Sequence, residues 1–277
     1  MIVVHRLLHL SDTHLRHPQV DAAAAVDRVL LDVADQAGFD AVIVSGDLAD
    51  DGSAEGCAIL LEKVGTFARE RGIPHFYCTG NHDSREAFRE VFGSGHFNKD
   101  VRTGPDCSAV SEVGGLRIVT LDSLVPGRIH GHVSDDQLEW LGSELATPAP
   151  AGTVVVLHHP PIAPAAPVHL GTINLRNAAA LGDVIAGTDV QAVVTGHFHL
   201  QLSGFLRGVP VWVGPGVVSR IDLTAADHLV RFVQGPGAAV IDLGGPYSPV
   251  FHTLHARDPL AGTLIAEVEV SSFPTGD

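Results

Sequence analysis

Positive charge, cysteine and aromatic side chains are all scarce in this chain of 277 residues. Lys and Arg number 17 against 32 Asp and Glu, a formal net charge of −15 and an isoelectric point near 5.4. A nucleic-acid backbone or an anionic membrane surface would be repelled by such a field, which argues against both as partners. A small anionic substrate stays open where local positive charge overrides it. Three cysteines, Cys57, Cys78 and Cys107, are too few and too scattered for a disulfide framework or a zinc knuckle; Cys57 and Cys78 lie in apolar patterns and read as buried thiols. Aromatics make up 5% of the chain, and no cluster of them announces a purine slot. No apolar run approaches the ~20 residues of a membrane-spanning helix. The opening MIVVHRLLHLSDTH has neither a basic n-region nor a small-residue cleavage site, so a cytoplasmic protein is expected.

What is present is a globular composition, 45% hydrophobic and 18% charged, with an unusual 17 histidines. LLHLSD, AVIVSGD, HFYCTGN, LRIVTLDS, TVVVLHH and VQAVVTGH read as short buried strands with polar ends. Helical periodicity lies between them. In residues 21–37, Val26, Val29, Leu30, Val33 and Ala37 share one face. Residues 53–71 follow the same pattern despite Gly56 and Gly65. Ser134 and Gln137 form a capping box ahead of LEWLGSEL, a helix is expected just after GNHD, and residues 177–187 make another. The alternation predicts βαβ units and mostly parallel pairing, an α/β fold. After about Val209 the segments VPVWVGPG, HLVRFV, AAVIDLG, PVFHTLHA and TLIAEVEV are β-rich, and a hairpin or meander sheet completing the core is expected. No linker or internal repeat appears, so residues 1–277 read as one domain with two sheets.

The polar strand ends form a set: Asp12 and His14 in SDTH, Asp47 in SGD, Asn81 and His82 in GNHD, His158 in LHHPP, His197 and His199 in GHFH. Open α/β sheets place their binding crevice at such ends. In extended chain, residues i and i+2 face one side, so Asp12 with His14, and His197 with His199, are expected to point into one site. Gly80 is expected to permit the tight turn that presents Asn81 and His82. One D-x-H or H-x-H is a weak signal; five ligand-bearing strand ends together predict a metal site. Asp12, His14, Asp47, Asn81, His158, His197 and His199 are seven ligands, too many for one tetrahedral zinc, so two ions are expected. Carboxylate, amide oxygen and imidazole suit Mn²⁺, Fe²⁺ or Fe³⁺, Co²⁺ or Zn²⁺. A shared carboxylate holds such ions ~3.5–4 Å apart. His5, His9, His17, His75 and His96 are assigned to the surface or to ordinary hydrogen bonds. His130 and His132 are lesser candidates for reaching the site. PPIAPAAPVHLGTINLR reads equally as a pocket wall or a rigid surface loop.

D-x-H, G-D, G-N-H-D, H-H-P-P and G-H-x-H, in this order, resemble the calcineurin-like metallophosphoesterase superfamily over about residues 7–215. LLHLSDTHL, VPGRIHGHVSDDQLEWLGSELATPAPAGTVVVLHHPPI and LRNAAALGDVIAGTDVQAVVTGHFH further resemble the bacterial class III cyclic-nucleotide phosphodiesterases, the actinobacterial members above all. The resemblance implies a four-layer αββα sandwich with metals at its edge. One ion would take Asp12, His14, His199 and a bridging Asp47; the other Asp47, Asn81, His158 and His197. His14, Asn81 and His82 would meet the substrate, with His82 free of metal as the catalytic acid and Asp83 oriented to hold it. The implied cofactor is a pair of Mn, Fe or Zn ions, a mixed Fe–Mn pair included. The implied reaction is hydrolysis of 3′,5′-cyclic AMP to 5′-AMP by a metal-bridging hydroxide. Two other readings stand beside it: the same fold acting on another small phosphodiester or monoester, and a non-catalytic scaffold. The β-rich region of about 221–277 departs furthest from the resemblance. Capping the active site, extending the second sheet and making a homodimer contact are the roles open to it.

Overall fold

Alternation along two strands sets the layering. A computed structural model gives the fold for residues 4–97, 104–165, 167 and 169–272. In β1 (His5–Leu10), Leu8 and Leu10 face one core while Leu7 faces another. In β2 (Ala41–Ser45), Val42 and Val44 split from Ala41 and Ile43 in the same way. Strands buried on both faces need cover on both, which is why they read as unbroken apolar runs.

β1, β2 and β3 (His75–Cys78) pair in parallel. The outer face of this sheet is covered by α1 (Ala22–Asp32), α2 (Ala54–Arg71) and α3 (Arg85–Phe92) through Val26, Val29, Leu60, Val64, Phe88 and Phe92. The second sheet begins with β4 (Ala109–Val113), antiparallel to β5 (Leu116–Thr120). β5 continues in parallel through β6 (Thr153–Val156) and β7 (Val190–Thr195) to β9 (Val209–Val213), and β8 (Leu202–Leu206) closes that edge as a hairpin. α4 (Asp135–Leu145) and α6 (Ala178–Ile185) cover its outer face. Ile43, Phe76, Ile118, Val154, Val194 and Trp212 fill the space between the sheets. Each such side chain contributes ~1.5–3 kcal/mol of transfer free energy. The layers run α, β, β, α, with the parallel strands of both sheets ending at one edge.

Several local expectations change in detail. α1 stops at Asp32, short of Ala37, because Phe39 enters the helix-facing core and turns the chain into β2. α2 tolerates Gly56 for a packing reason: a Cβ there would lie 2.6 Å from the Cβ of Ala49, in the segment after Asp47. Only half of the capping box forms. Ser134 Oγ accepts from Gln137 N, while the Gln137 amide turns to Asp122, accepting from its N–H and donating to its carbonyl, at 2.9 and 2.8 Å.

Of the hairpin or meander expected at the C-terminal end, a hairpin completes the first sheet and the remaining strands form a sheet of their own. β12 (Gly237–Leu243) lies antiparallel beside β1 within the first sheet, and β13 (Val250–His255) pairs with β12 as that sheet's edge strand. β10 (Ser219–Ile221), β11 (Leu229–Gln234) and β14 (Leu264–Glu269) make a separate third sheet in the order β10-β11-β14. Cys57, Cys78 and Cys107 are buried free thiols, their pKa values raised by burial. Among the described residues no helix is long and apolar enough to cross a membrane.

Candidate metal centre

Asp12 follows β1, Asp47 follows β2, Asn81 and His82 follow β3, His158 follows β6, and His197 and His199 follow β7. The pairs two apart converge, but not as extended chain. Asp12, His14, Asp47, His197 and His199 all have positive φ, between 40° and 71°, among only eight such non-glycine residues described. Backbone strain of ~1–3 kcal/mol per residue persists where the surroundings impose it, and here it collects at one point. Gly80 does not have positive φ. It is glycine because a Cβ would stand 2.2 Å from Asp47 Oδ1, so the GNHD loop lies directly on the Asp47 carboxylate.

Each of four imidazoles has its outer nitrogen committed. His158 Nδ1 donates to the Ser45 carbonyl (2.8 Å) and His197 Nε2 to the Ile173 carbonyl (2.9 Å). His14 Nδ1 donates to Asp50 Oδ1 (3.0 Å), and His199 Nδ1 meets the Ser219 hydroxyl (2.6 Å) and carbonyl (3.3 Å). Such partners fix tautomer and ring orientation in metal sites. The inner nitrogens are then lone pairs facing one another: His14 Nε2 to His199 Nε2 at 3.2 Å, and His158 Nε2 to His197 Nδ1 at 3.2 Å. Asp12 Oδ1 is 3.3 Å from His199 Nε2. Asp47 Oδ2 is 3.2 Å from His158 Nε2 and 3.6 Å from His14 Nε2, so it stands between the two imidazole pairs. Asn81 Oδ1 is buried and accepts no hydrogen bond among the described residues. Converging lone pairs and an orphaned amide oxygen fit divalent cations with nitrogen and oxygen ligands.

The electrostatics agree at the two carboxylates and at His14 and His197. Burial works to raise the pKa of Asp12 and Asp47, yet facing imidazoles (His199 for Asp12; His158, His82 and His14 for Asp47) hold both below the usual carboxylate range. Burial lowers His14, and drives His197 down to about 3, favouring neutral, ligating rings. At His158 burial lowers the pKa, but the Asp47 carboxylate outweighs it and the net shift is upward. His82 also shifts upward against burial, through Asp47 and the Asp50 carbonyl.

Asp83 does not orient His82. Its carboxylate accepts from the backbone N–H groups of Leu48 (3.0 Å), Ala49 (3.2 Å) and Gly80 (2.8 Å), tying the Asp47 segment to the GNHD loop. Burial, then the Asp47 charge, pushes its pKa up to about 7. The residue that holds His82 is Asp50: its carbonyl accepts from His82 Nδ1 at 3.0 Å, and its carboxylate holds His14. Asp50 was missed by the sequence reading, although a second carboxylate in GDLAD was the available signal. Asp122, fully buried after β5, accepts from Thr79 Oγ1 (2.7 Å) and Arg85 Nε (2.6 Å) and anchors GNHD from the second sheet. His159 is an unsuitable ligand because both its nitrogens are engaged, with Ser123 Oγ and the Ile129 carbonyl.

A cavity of about 390 Å³ opens from the cluster, lined by His14, Asp47, Asn81, His82, His197 and His199 at one end. His17, assigned above to the surface or to an ordinary hydrogen bond, accepts from Gln19 N at 3.1 Å and also lines the cavity. His130 and His132 do not; their neighbour Ile129 does. From PPIAPAAPVHLGTINLR it is the later part that forms wall, with Leu170 and Ile173 on the short helix α5 (Leu170–Ile173). Of the other histidines, His75 reaches Tyr77 Oη (3.0 Å) and His96 reaches Ser111 Oγ and Thr120 Oγ1 (both 2.9 Å). His9 reaches Ser45 Oγ at 2.8 Å, whereas His5 Nε2 and His9 Nδ1 are buried without a partner among the described residues.

Comparison with known proteins accords with this geometry. The chain is 40% identical over 225 residues, 79% of its length, to a protein of Rhodococcus erythropolis named "Probable cyclic nucleotide phosphodiesterase", of which 73% is covered. It is 40% identical over 227 residues to the cAMP/cGMP dual specificity phosphodiesterase of Mycobacterium tuberculosis, with 79% of this chain and 70% of that one covered. The 3′,5′-cyclic adenosine monophosphate phosphodiesterase of Haemophilus influenzae is 31% identical over 220 residues, 76% of this chain and 75% of that one. Residues 5–201, which include all seven candidate donors, match the calcineurin-like phosphoesterase family, and the chain belongs to that family.

Proposed function

We propose that this protein is a dinuclear-metal phosphodiesterase that opens 3′,5′-cyclic nucleotides, converting cyclic AMP to 5′-AMP. The observation that carries the reading is the pair of facing imidazole pairs, outer nitrogens committed and inner lone pairs converging, with Asp47 between them and Asn81 Oδ1 unpartnered beside them. Asp12, His14, Asp47 and His199 would hold one ion; Asp47, Asn81, His158 and His197 the other. Mn, Fe or Zn, alone or as a mixed pair, suits these donors. When bound, the ions neutralise the phosphodiester and activate water for attack on phosphorus. The relatives' names supply the substrate class. Every donor of the set is present, which sets a non-catalytic scaffold aside.

His82 takes the role of proton donor. Its ring lies 4.7 Å from that of His14, and its Nδ1 is bonded to the Asp50 carbonyl, which leaves Nε2 for the substrate. Opening the ring breaks the P–O3′ bond, water supplies the new oxygen on phosphorus, and the departing 3′-oxygen takes the His82 proton. Such a donor contributes ~10²–10⁴-fold.

Purified protein with Mn²⁺ is expected to convert cyclic AMP to 5′-AMP, and EDTA to abolish the activity. His82→Ala is expected to keep its metals and to lose ~10²–10⁴-fold in kcat/KM on cyclic AMP. On a p-nitrophenyl diester, whose leaving group needs no proton, the loss is expected to be far smaller. Equal losses on both substrates would remove the proton-donor role. Brisk aryl-diester hydrolysis with cyclic AMP untouched would overturn the cyclic-nucleotide reading.

A further inference from the structure

Much of the apolar wall of the cavity is built by the third sheet. Ile221 of β10, Val230 and Phe232 of β11, and Val268 of β14 line the same cavity as the candidate donors, with Leu170 and Ile173 of α5. Ile221, Val230, Leu170 and Ile173 are buried in one apolar cluster, and Phe232 and Val268 pack against it while keeping part of their surface open. The Phe232 ring lies 5.9 Å from the His199 ring, nearly perpendicular to it. The third sheet thus turns an apolar face toward the cavity, and a phosphate held at the donors leaves that face uncovered.

The family match ends at residue 201, before every residue this sheet contributes. The metal chemistry therefore sits in the shared part of the chain and this wall in the remainder. A cavity of about 390 Å³ is large for a bare phosphodiester and within the ~300–1,000 Å³ of small-molecule sites. Its two halves differ in chemistry: charged and imidazole donors at one, aliphatic and aromatic carbon at the other.

We infer that the β10-β11-β14 sheet is a substrate-selecting wall, with Phe232 the residue against which a flat nucleobase stacks while the cyclic phosphate sits at the metal donors. The inference rests on the phosphodiesterase reading for its substrate. It goes beyond it in naming the part of the chain that separates nucleotides from small hydrophilic diesters, which leave the apolar half empty. Stacking on one aromatic ring is a sequence-tolerant way to hold a base, and its loss by alanine substitution costs ~5–150-fold.

The test compares wild type, Phe232→Leu and Phe232→Ala on two substrates. These are 3′,5′-cyclic AMP and the 3′,5′-cyclic phosphate of 1-deoxyribose, which keeps the reacting ring and carries no base. Phe232→Ala is expected to raise KM for cyclic AMP by ~5–150-fold, with kcat and the base-free substrate changed less than about twofold. Phe232→Leu should fall between. Equal losses on both substrates would make Phe232 a support for His199 and overturn the inference, as would no change on either. Calorimetric binding of adenosine, which has no phosphate, reads the wall separately. If wild type hydrolyses neither cyclic phosphate the phosphodiesterase reading fails. Adenosine binding weakened in Phe232→Ala would still support the wall, and absent or unchanged binding would overturn it.

Discussion

Replacing Asp83 by alanine separates two accounts of the GNHD loop. The buried carboxylate accepts from three backbone N–H groups, on Leu48, Ala49 and Gly80, and all three are deprived of a partner in Asp83→Ala. An unsatisfied buried donor costs ~1–3 kcal/mol. Three of them, partly relieved by water entering the small void, give an expected destabilisation of about 3–6 kcal/mol. That is a large fraction of the ~5–15 kcal/mol total of a typical domain. Leu48 and Ala49 follow Asp47 directly, and Gly80 precedes Asn81, so the loops that carry two of the proposed metal ligands are released together. Metal affinity is expected to fall by ~10–100-fold, the usual range for supporting residues around a metal. Asp83→Asn keeps one acceptor oxygen and should lose about 1–3 kcal/mol, by the same reasoning. Urea unfolding in EDTA measures the stability, and Mn²⁺ titration of the refolded protein measures the affinity. Had Asp83 served to orient His82, turnover would fall while stability and metal binding stayed intact. That result, or a stability loss below about 1 kcal/mol in Asp83→Ala, would refute the loop-clamp argument.

Asp47 and His14 divide the metal centre differently. Because Asp47 Oδ2 stands between the two imidazole pairs, Asp47→Ala is expected to deplete both ions, and His14→Ala mainly one, in elemental analysis at saturating Mn²⁺. A wild type that holds a single ion would end the two-metal proposal. Away from the site, burial lowers the His96 pKa to about 3. Below its unfolded pKa of about 6.5 the unfolded chain takes a proton that the folded chain refuses, so this contribution is complete above that pH and declines as pH falls towards the folded value. At pH 5 the expected loss is about 2 kcal/mol, from ~1.4 kcal/mol per pH unit. Urea unfolding at pH 7.5 and 5 should show a steeper decline for wild type than for His96→Gln, and parallel declines would contradict the assignment.

The candidate donors were legible as a set because metal binding would restrict the residue type at each strand end, and parallel strands deliver those ends to one edge. Asp12, His14, Asp47, Asn81, His158, His197 and His199 were all named from sequence, and all meet at the edge where both sheets end. The layered α/β fold was legible for a similar reason, since buried strands and amphipathic helices each impose a period on the side chains.

Backbone geometry was less accessible. The D-x-H and H-x-H pairs suggested extended chain, whereas positive φ at Asp12, His14, His197 and His199 turns them inward, and local spacing does not encode a strain that distant packing imposes. Gly80 was read as a turn residue, while contact with Asp47 across the sheet is what demands glycine.

Residue type and local periodicity made the candidate donors and their strand ends legible before folding, because both are properties of the local chain. The tertiary structure alone decided who supports them. Asp83 holds backbone instead of His82, Asp50 takes the orienting role, Ser219 and Ile173 reach His199 and His197, and the third sheet faces the cavity. These partners lie up to 34 or 35 residues away for Asp83 and 24 for His197 and Ile173. A hydrogen bond or an apolar contact between such residues leaves no periodic mark on either segment, so it exists only once the chain has folded.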